Sequence, residues 1–270
     1  MRLQHVPSRQ GLQWVRQGFR IFLKQPMGFA GLFAAFLLAV FLLTLMPGIG
    51  LLLLLTLLPL GSLGFMIATR AAIEGRFPVP RAFIEPLRTG RTQLLAIAKL
   101  GLLYAAATWA VHALSNWADG GALDALMQAQ TAESPNAEET AARLADSSLQ
   151  TGLLLRFGLL GLLSVPFWHA PALVHWGRQT AGKALFFSTV AVWRNKGAFF
   201  VYSLGWLGVF LLFALVANLL FALIGRGQLV QLLALPASMI FSTVFYASLY
   251  FTFSDSFADD PAEDSLPPTA

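Results

Sequence analysis

Six apolar runs, each about twenty residues or longer, divide the chain, and short polar segments separate them. They cover about residues 27–46, 49–72, 94–114, 152–176, 198–224 and 229–253. An α-helix rises 1.5 Å per residue, so about 20 residues cross the roughly 30 Å of bilayer hydrocarbon. Each run therefore predicts one span. The fold class expected is all-α: a polytopic helical membrane protein with six transmembrane helices and interfacial amphipathic helices. Pro47-Gly48 and Gly225-Arg226-Gly227 supply tight turns after the first and fifth runs.

The polar segments differ in charge. Arg2, Arg9, Arg16, Arg20 and Lys24 precede the first run. Arg70, Arg76, Arg81, Arg88 and Arg91 lie around the second loop, and Arg178, Lys183, Arg194 and Lys196 around the fourth. Fourteen of the 18 Lys and Arg thus fall on one side of a six-span arrangement. Basic residues stay in the cytoplasm, so both termini are expected there. The domain reading is a cytoplasmic N-terminal amphipathic segment (1–26), a six-helix domain (27–253) and an acidic tail (254–270). The tail holds five carboxylates and three prolines, and it is expected to be disordered and cytoplasmic. An extracytoplasmic acidic loop, 116–151, is expected to carry two short helices, one of them started by Ser134-Pro135 and continued by Ala141, Leu144, Ala145 and Leu149.

A unit recurs three times: a basic amphipathic segment, a span, then a span with a proline in its outer part. The prolines are Pro59, Pro166 and Pro236. In the first segment Arg9, Arg16, Arg20 and Lys24 share one helical face, with Leu12, Val15, Phe19, Phe22 and Leu23 around the rest. That pattern predicts a helix lying in the cytoplasmic interface, each cation contributing about 1 kcal/mol near anionic lipid. In the second segment Arg81 and Glu85 have i, i+4 spacing suited to an ion pair. In the third, Leu185, Phe186, Val192 and Trp193 form the apolar side. Repeats with an even number of spans are parallel, unlike the inverted repeats common in transporters.

Composition agrees with the pattern. The chain of 270 residues is 57% hydrophobic and 11% charged, against about 25% charged in soluble domains. Its net charge of +5 lies beside apolar spans, so anionic lipid headgroups are the expected partners and nucleic acid is not. There is no Cys, which excludes disulfides and thiolate sites. Residues 1–26 are too long and polar for the basic region of a signal peptide.

The candidate polar intramembrane site is His169, Ser164, Asn218, Ser238 and Ser242. Pro166 and Pro171 each remove a backbone donor within one span, and the freed carbonyls need polar partners. His169 stands between them, as a structural partner for a freed carbonyl or as a functional group. Asn218 and the stripe Ser238, Ser242, Thr243, Tyr246 and Tyr250 suit interhelical bonding first and a substrate path second. Gly64 and Ala68 suit close helix approach, and Lys99 and Arg156 lie near enough to the span ends to snorkel. No Asp or Glu falls inside a run, and no Walker loop, G-x-S-x-G or H-E-x-x-H occurs, so neither an enzyme nor a cofactor is expected.

The chain resembles a family of uncharacterised bacterial inner-membrane proteins up to about Phe257. The resemblance rests on the segments Gly11-Leu12-Gln13-Trp14-Val15, Arg81-Ala82-Phe83-Ile84-Glu85-Pro86-Leu87-Arg88, Pro166-Phe167-Trp168-His169-Ala170-Pro171-Ala172-Leu173 and Phe245-Tyr246-Ala247-Ser248-Leu249-Tyr250. It implies an inner-membrane location. More loosely, the alternation of interfacial segments and spans is similar to the membrane domain of glycerophosphodiester phosphodiesterases, whose catalytic barrel is absent here. The expected function is non-catalytic, organising partners or lipids at the cytoplasmic face. The alternative is a transporter or exporter of a small or lipidic molecule, with a path near the fourth span.

Topology is directly testable. Reporter fusions after Thr131 and after Ser254 are expected to give opposite signals, and the same signal from both breaks the six-span arrangement.

Overall fold

Every apolar run forms a long helix in the computed structural model, which describes residues 1–130, 142, 145–223 and 230–258. A short strand β1 (Arg2–Leu3) and the amphipathic α1 (Gln10–Lys24) come first. The first two spans are α2 (Pro26–Thr44) and α3 (Gly50–Ile73). Two 3-10 turns, Pro80–Phe83 and Glu85–Arg88, lead to α4 (Arg91–Asp119). After α5 (Ala122–Gln130), the fourth span is made of α6 (Ser147–Phe167) and α7 (Ala170–His175). Then follow α8 (Ala181–Arg194), α9 (Lys196–Leu223), α10 (Val230–Ser256) and β2 (Phe257–Ala258). Six crossings bring both termini and the basic loops to one end, here the basic end.

The second expected outer helix falls largely outside the described residues, as does Gly225-Arg226-Gly227. Leu149 belongs to α6, which is capped by Asp146, whose carboxylate accepts the Ser148 backbone N–H at 2.9 Å. The repeat keeps its order but not its depth. Pro59 and Pro236 lie in the first halves of α3 and α10, whereas Pro166 is next to last in α6.

The N-terminal helix corrects one expectation. Arg9, Arg16, Arg20 and Lys24 are exposed, as the helical wheel predicts. The opposite side meets protein rather than lipid: α1 is wedged between α9 and α10, whose backbones stay apart and whose long side chains meet, as Trp206 meets Phe245 at 5.6 Å. Two glycines permit this approach. A methyl group on Gly11 would run into the Ala198 carbonyl oxygen of α9, and one on Gly18 would stand 2.9 Å from the Val244 carbonyl oxygen of α10. Between them Trp14 is fully enclosed against Phe199 and Tyr202, at ring distances of 5.3 and 5.9 Å.

The C-terminal expectation also changes. Asp255, placed in the disordered tail by sequence, ends α10 and accepts two hydrogen bonds at Oδ2. Gln10 Nε2 donates at 2.7 Å and Trp14 Nε1 at 2.8 Å. Beyond it, β2 pairs antiparallel with β1, Leu3 opposite Phe257. Asn195 stitches the same segment to the α8–α9 joint, accepting the Val6 N–H at 2.9 Å and donating to the Gln4 carbonyl at 3.1 Å. The tail expected to be disordered therefore starts no earlier than residue 259, and 259–270 lie outside the described residues.

At the centre is α3, whose stretch from Leu63 to Thr69 is buried throughout. Phe65 stacks on Tyr246 of α10 at 4.9 Å. Gly64 makes room for the Phe83 ring rather than for another helix, and Gly101 of α4 fits against the Thr56 backbone. On the far side Arg156 reaches toward the outer end of α4. Its guanidinium donates to Ser115 Oγ at 2.9 Å and Asn116 Oδ1 at 2.6 Å, joining α6 to α4.

The wedge predicts an asymmetry between glycines. Gly11→Leu is expected to lower the melting temperature in detergent markedly, by overpacking worth about 1–3 kcal/mol. Gly31→Leu, with nothing within 4 Å of its Cβ position, is expected to leave it unchanged. Circular-dichroism melts of both variants check this.

Candidate functional site

The proline turn of the fourth span is solved by a residue that sequence reasoning passed over. The helix breaks at Trp168 and His169, between α6 and α7. In an unbroken helix the His169 N–H would bond the Val165 carbonyl, four residues back. Ser188 of α8 is inserted between them: its Oγ accepts the His169 N–H at 3.0 Å and donates to the Val165 oxygen at 3.0 Å. One hydroxyl thus replaces the missing backbone bond, a recognised cause of helix kinks. The signal was present in α8. Ala181, Ala184, Ser188 and Ala191 are its buried stripe, and Ser188 is the one polar member. The aromatic side expected to matter there, Phe186 and Trp193, faces outward.

His169 is a partner within the bundle and does not answer the freed carbonyl. Its side chain is completely enclosed, with Phe199, Phe253 and Phe257 rings 5.5 to 5.9 Å away. Thr252 Oγ1 donates to the Leu249 carbonyl at 2.8 Å, so it must accept from its other neighbours. These are Trp168 Nε1 at 3.1 Å and His169 Nε2 at 3.2 Å. The proton of His169 therefore sits on Nε2, and Nδ1 has no partner among the described residues.

The other candidates are not brought together. Ser164 donates to Gly161 of its own helix and lines a cavity of about 190 Å³ with Ser62, Tyr104 and Tyr246. Asn218 is exposed and donates to Ala214 on its own helix, not across helices as expected. Ser238 donates to Leu235, also on its own helix, and Ser242 is half-buried. The interhelical bond in this region is Tyr202 to Ser248, at 2.6 Å and buried, a pair the sequence did not single out.

A larger cavity opens at the basic end. It measures about 830 Å³ and lies between the last turns of α3, the two 3-10 turns and Trp176. Arg70, Arg76, Arg81 and Arg88 line it with Glu74 and Glu85. Arg70 Nε bonds the Glu74 carboxylate at 3.3 Å, and Arg76 holds its other oxygen. The hydrogen bond from Arg76 leads the causes that keep the Glu74 pKa below the usual carboxylate value. The Arg70 guanidinium also stands over the Trp176 ring, 5.8 Å from its centre. The expected Arg81–Glu85 pair is not formed among the described residues. Pro80 and Pro86 hold this segment in 3-10 turns, so the i, i+4 face of an α-helix never develops. A smaller basic cavity of about 330 Å³, lined by Lys99 and Arg178, lies on the other side of the α4 start.

Comparison with known proteins adds a family. The chain is 35% identical to a probable inner membrane protein of Burkholderia thailandensis, over 100% of this chain and 99% of that protein. It belongs to that family of inner-membrane proteins. The six apolar helices fit a multi-pass location in the inner membrane. No family model matches the chain and no solved structure does, so the looser similarity to glycerophosphodiester phosphodiesterases has no support and carries no argument.

The turn gives a ranking of variants. Ser188→Ala leaves the His169 N–H unpaired and the Val165 oxygen with only the long bond from the Trp168 N–H, and it is expected to cost about 1–3 kcal/mol, read as a clear drop in melting temperature. His169→Gln keeps a donor toward Thr252 and is expected to cost less. A smaller loss in Ser188→Ala than in His169→Gln would show that the hydroxyl does not bridge the break.

Proposed function

We propose that this inner-membrane protein is non-catalytic and organises anionic lipids at its cytoplasmic face, with both termini on that side. The observation that carries this reading is the concentration of cations around an open cavity at the basic end. Exposed apolar side chains accompany them: Phe77, Val79, Ile84 and Leu87 alternate with Arg76, Arg81 and Arg88 along the α3–α4 connection. Cations beside exposed apolar groups are the pattern of a segment resting in the headgroup region. Support against a transport path is geometric. That path needed access to His169 and Asn218, but His169 is sealed inside the bundle and Asn218 faces outward from α9.

Lipid retained through purification tests this. Protein extracted in a mild non-ionic detergent is expected to carry phospholipid enriched in anionic headgroups relative to the membrane it came from. Bound lipid with the composition of the bulk membrane would overturn the reading.

A further inference from the structure

The cavity at the basic end has two surfaces of opposite character. Its floor is apolar, from Ile67, Ala68 and Ala71 of α3 and Ala82 of the first 3-10 turn. Its rim carries four arginines against two glutamates. The arginines fall into two sets. Arg70 and Arg76 are held by Glu74, and Arg70 is further fixed over Trp176. The side chains of Arg81 and Arg88 are exposed and have no hydrogen bond or ion pair among the described residues. A volume of about 830 Å³ lies within the range of small-molecule sites. Guanidinium groups match phosphate oxygens two at a time, which a lysine ammonium does not.

An apolar floor below an arginine rim suits an amphiphile rather than a wholly polar anion. The polar end needs a phosphate to answer Arg81 and Arg88, and the apolar end needs a chain to cover the floor. We propose that this cavity is a specific site for a phosphate-bearing lipid headgroup, bound by Arg81 and Arg88, with Glu74 and Trp176 positioning Arg70 and Arg76 beside it. Such a site rests on the lipid-organising role proposed above and gives it an address: one pocket, not the whole basic face. Inorganic phosphate shares the headgroup's chemistry but has nothing to place on the floor.

The full-length protein in non-ionic detergent is titrated with dihexanoyl phosphatidylglycerol, dihexanoyl phosphatidylcholine and inorganic phosphate, following the rise in melting temperature that a bound ligand causes. The parent is expected to respond most to phosphatidylglycerol. In R81Q/R88Q the apparent affinity for it is expected to fall about tenfold or more, the loss of two phosphate contacts. R9Q/R16Q removes equal charge from the same face outside the cavity and is expected to lose clearly less. R81K/R88K keeps the charge without the paired donors and is expected to fall between parent and R81Q/R88Q, which holds the test open if the glutamine variant folds poorly. Equal losses in R81Q/R88Q and R9Q/R16Q overturn the cavity while leaving general attraction of anionic lipid in place. No preference for phosphatidylglycerol over phosphatidylcholine in the parent overturns both. An equal response to inorganic phosphate overturns the lipid as the source of the phosphate.

Discussion

The bundle depends on how closely α1 approaches two other helices. Lipid tails are as apolar as leucine, so burial from water does little to hold membrane helices together, and close packing with interhelical hydrogen bonds must serve. The wedge supplies both. Gly11 and Gly18 let the α1 backbone come within reach of the α9 and α10 backbones. Trp14 then fills the junction, and its indole N–H ends on Asp255. A hydrogen bond to an ionised carboxylate contributes about 1.5–3 kcal/mol, more than a neutral one. The α9 and α10 backbones stay apart with α1 filling the space between them, while Tyr202–Ser248 and Trp206 against Phe245 bridge the pair directly. The ribbon of β1 and β2 and the two bonds of Asn195 then fix the segments on either side of that wedge.

What the sequence made legible follows from period and length. Span number and positions could be read because lipid demands long, uninterrupted apolar runs. The exposed cationic face of α1 could be read because charge has one place to go. Its other face could not. Leu12, Val15, Phe19 and Phe22 look the same whether they meet lipid or protein, and only the glycines hint at a neighbouring backbone. The same ambiguity misplaced α8, where the large aromatic side chains face outward and a stripe of alanines with one serine does the packing.

The candidate site was half legible. Two prolines around His169 correctly marked a place where backbone bonds had to be replaced. His169 bonds Thr252 instead of a carbonyl, and the hydroxyl that bridges the break between Val165 and His169 comes from Ser188, on another helix. Asp255 is a similar case. By composition it belonged to an acidic tail, and by structure it is the acceptor that closes the α1 junction.

These placements share a rule about where polar groups remain available. Inside the bundle, the polar side chains that join helices are committed to one another. Ser188 spans the proline break, Thr252 collects His169 and Trp168, Tyr202 pairs with Ser248, and Arg156 joins α6 to α4. A group already answered by its own protein has little left to offer a ligand. At the basic end the balance reverses. Prolines keep the α3–α4 connection in short turns, so Arg81 and Glu85 do not settle into a helical pair, and Glu74 takes up only Arg70 and Arg76. Proline, which breaks the fourth span, therefore also leaves Arg81 and Arg88 unpaired among the described residues at the mouth of a cavity. That difference, rather than depth in the membrane, separates the enclosed His169 from the open cavity proposed to hold a lipid headgroup.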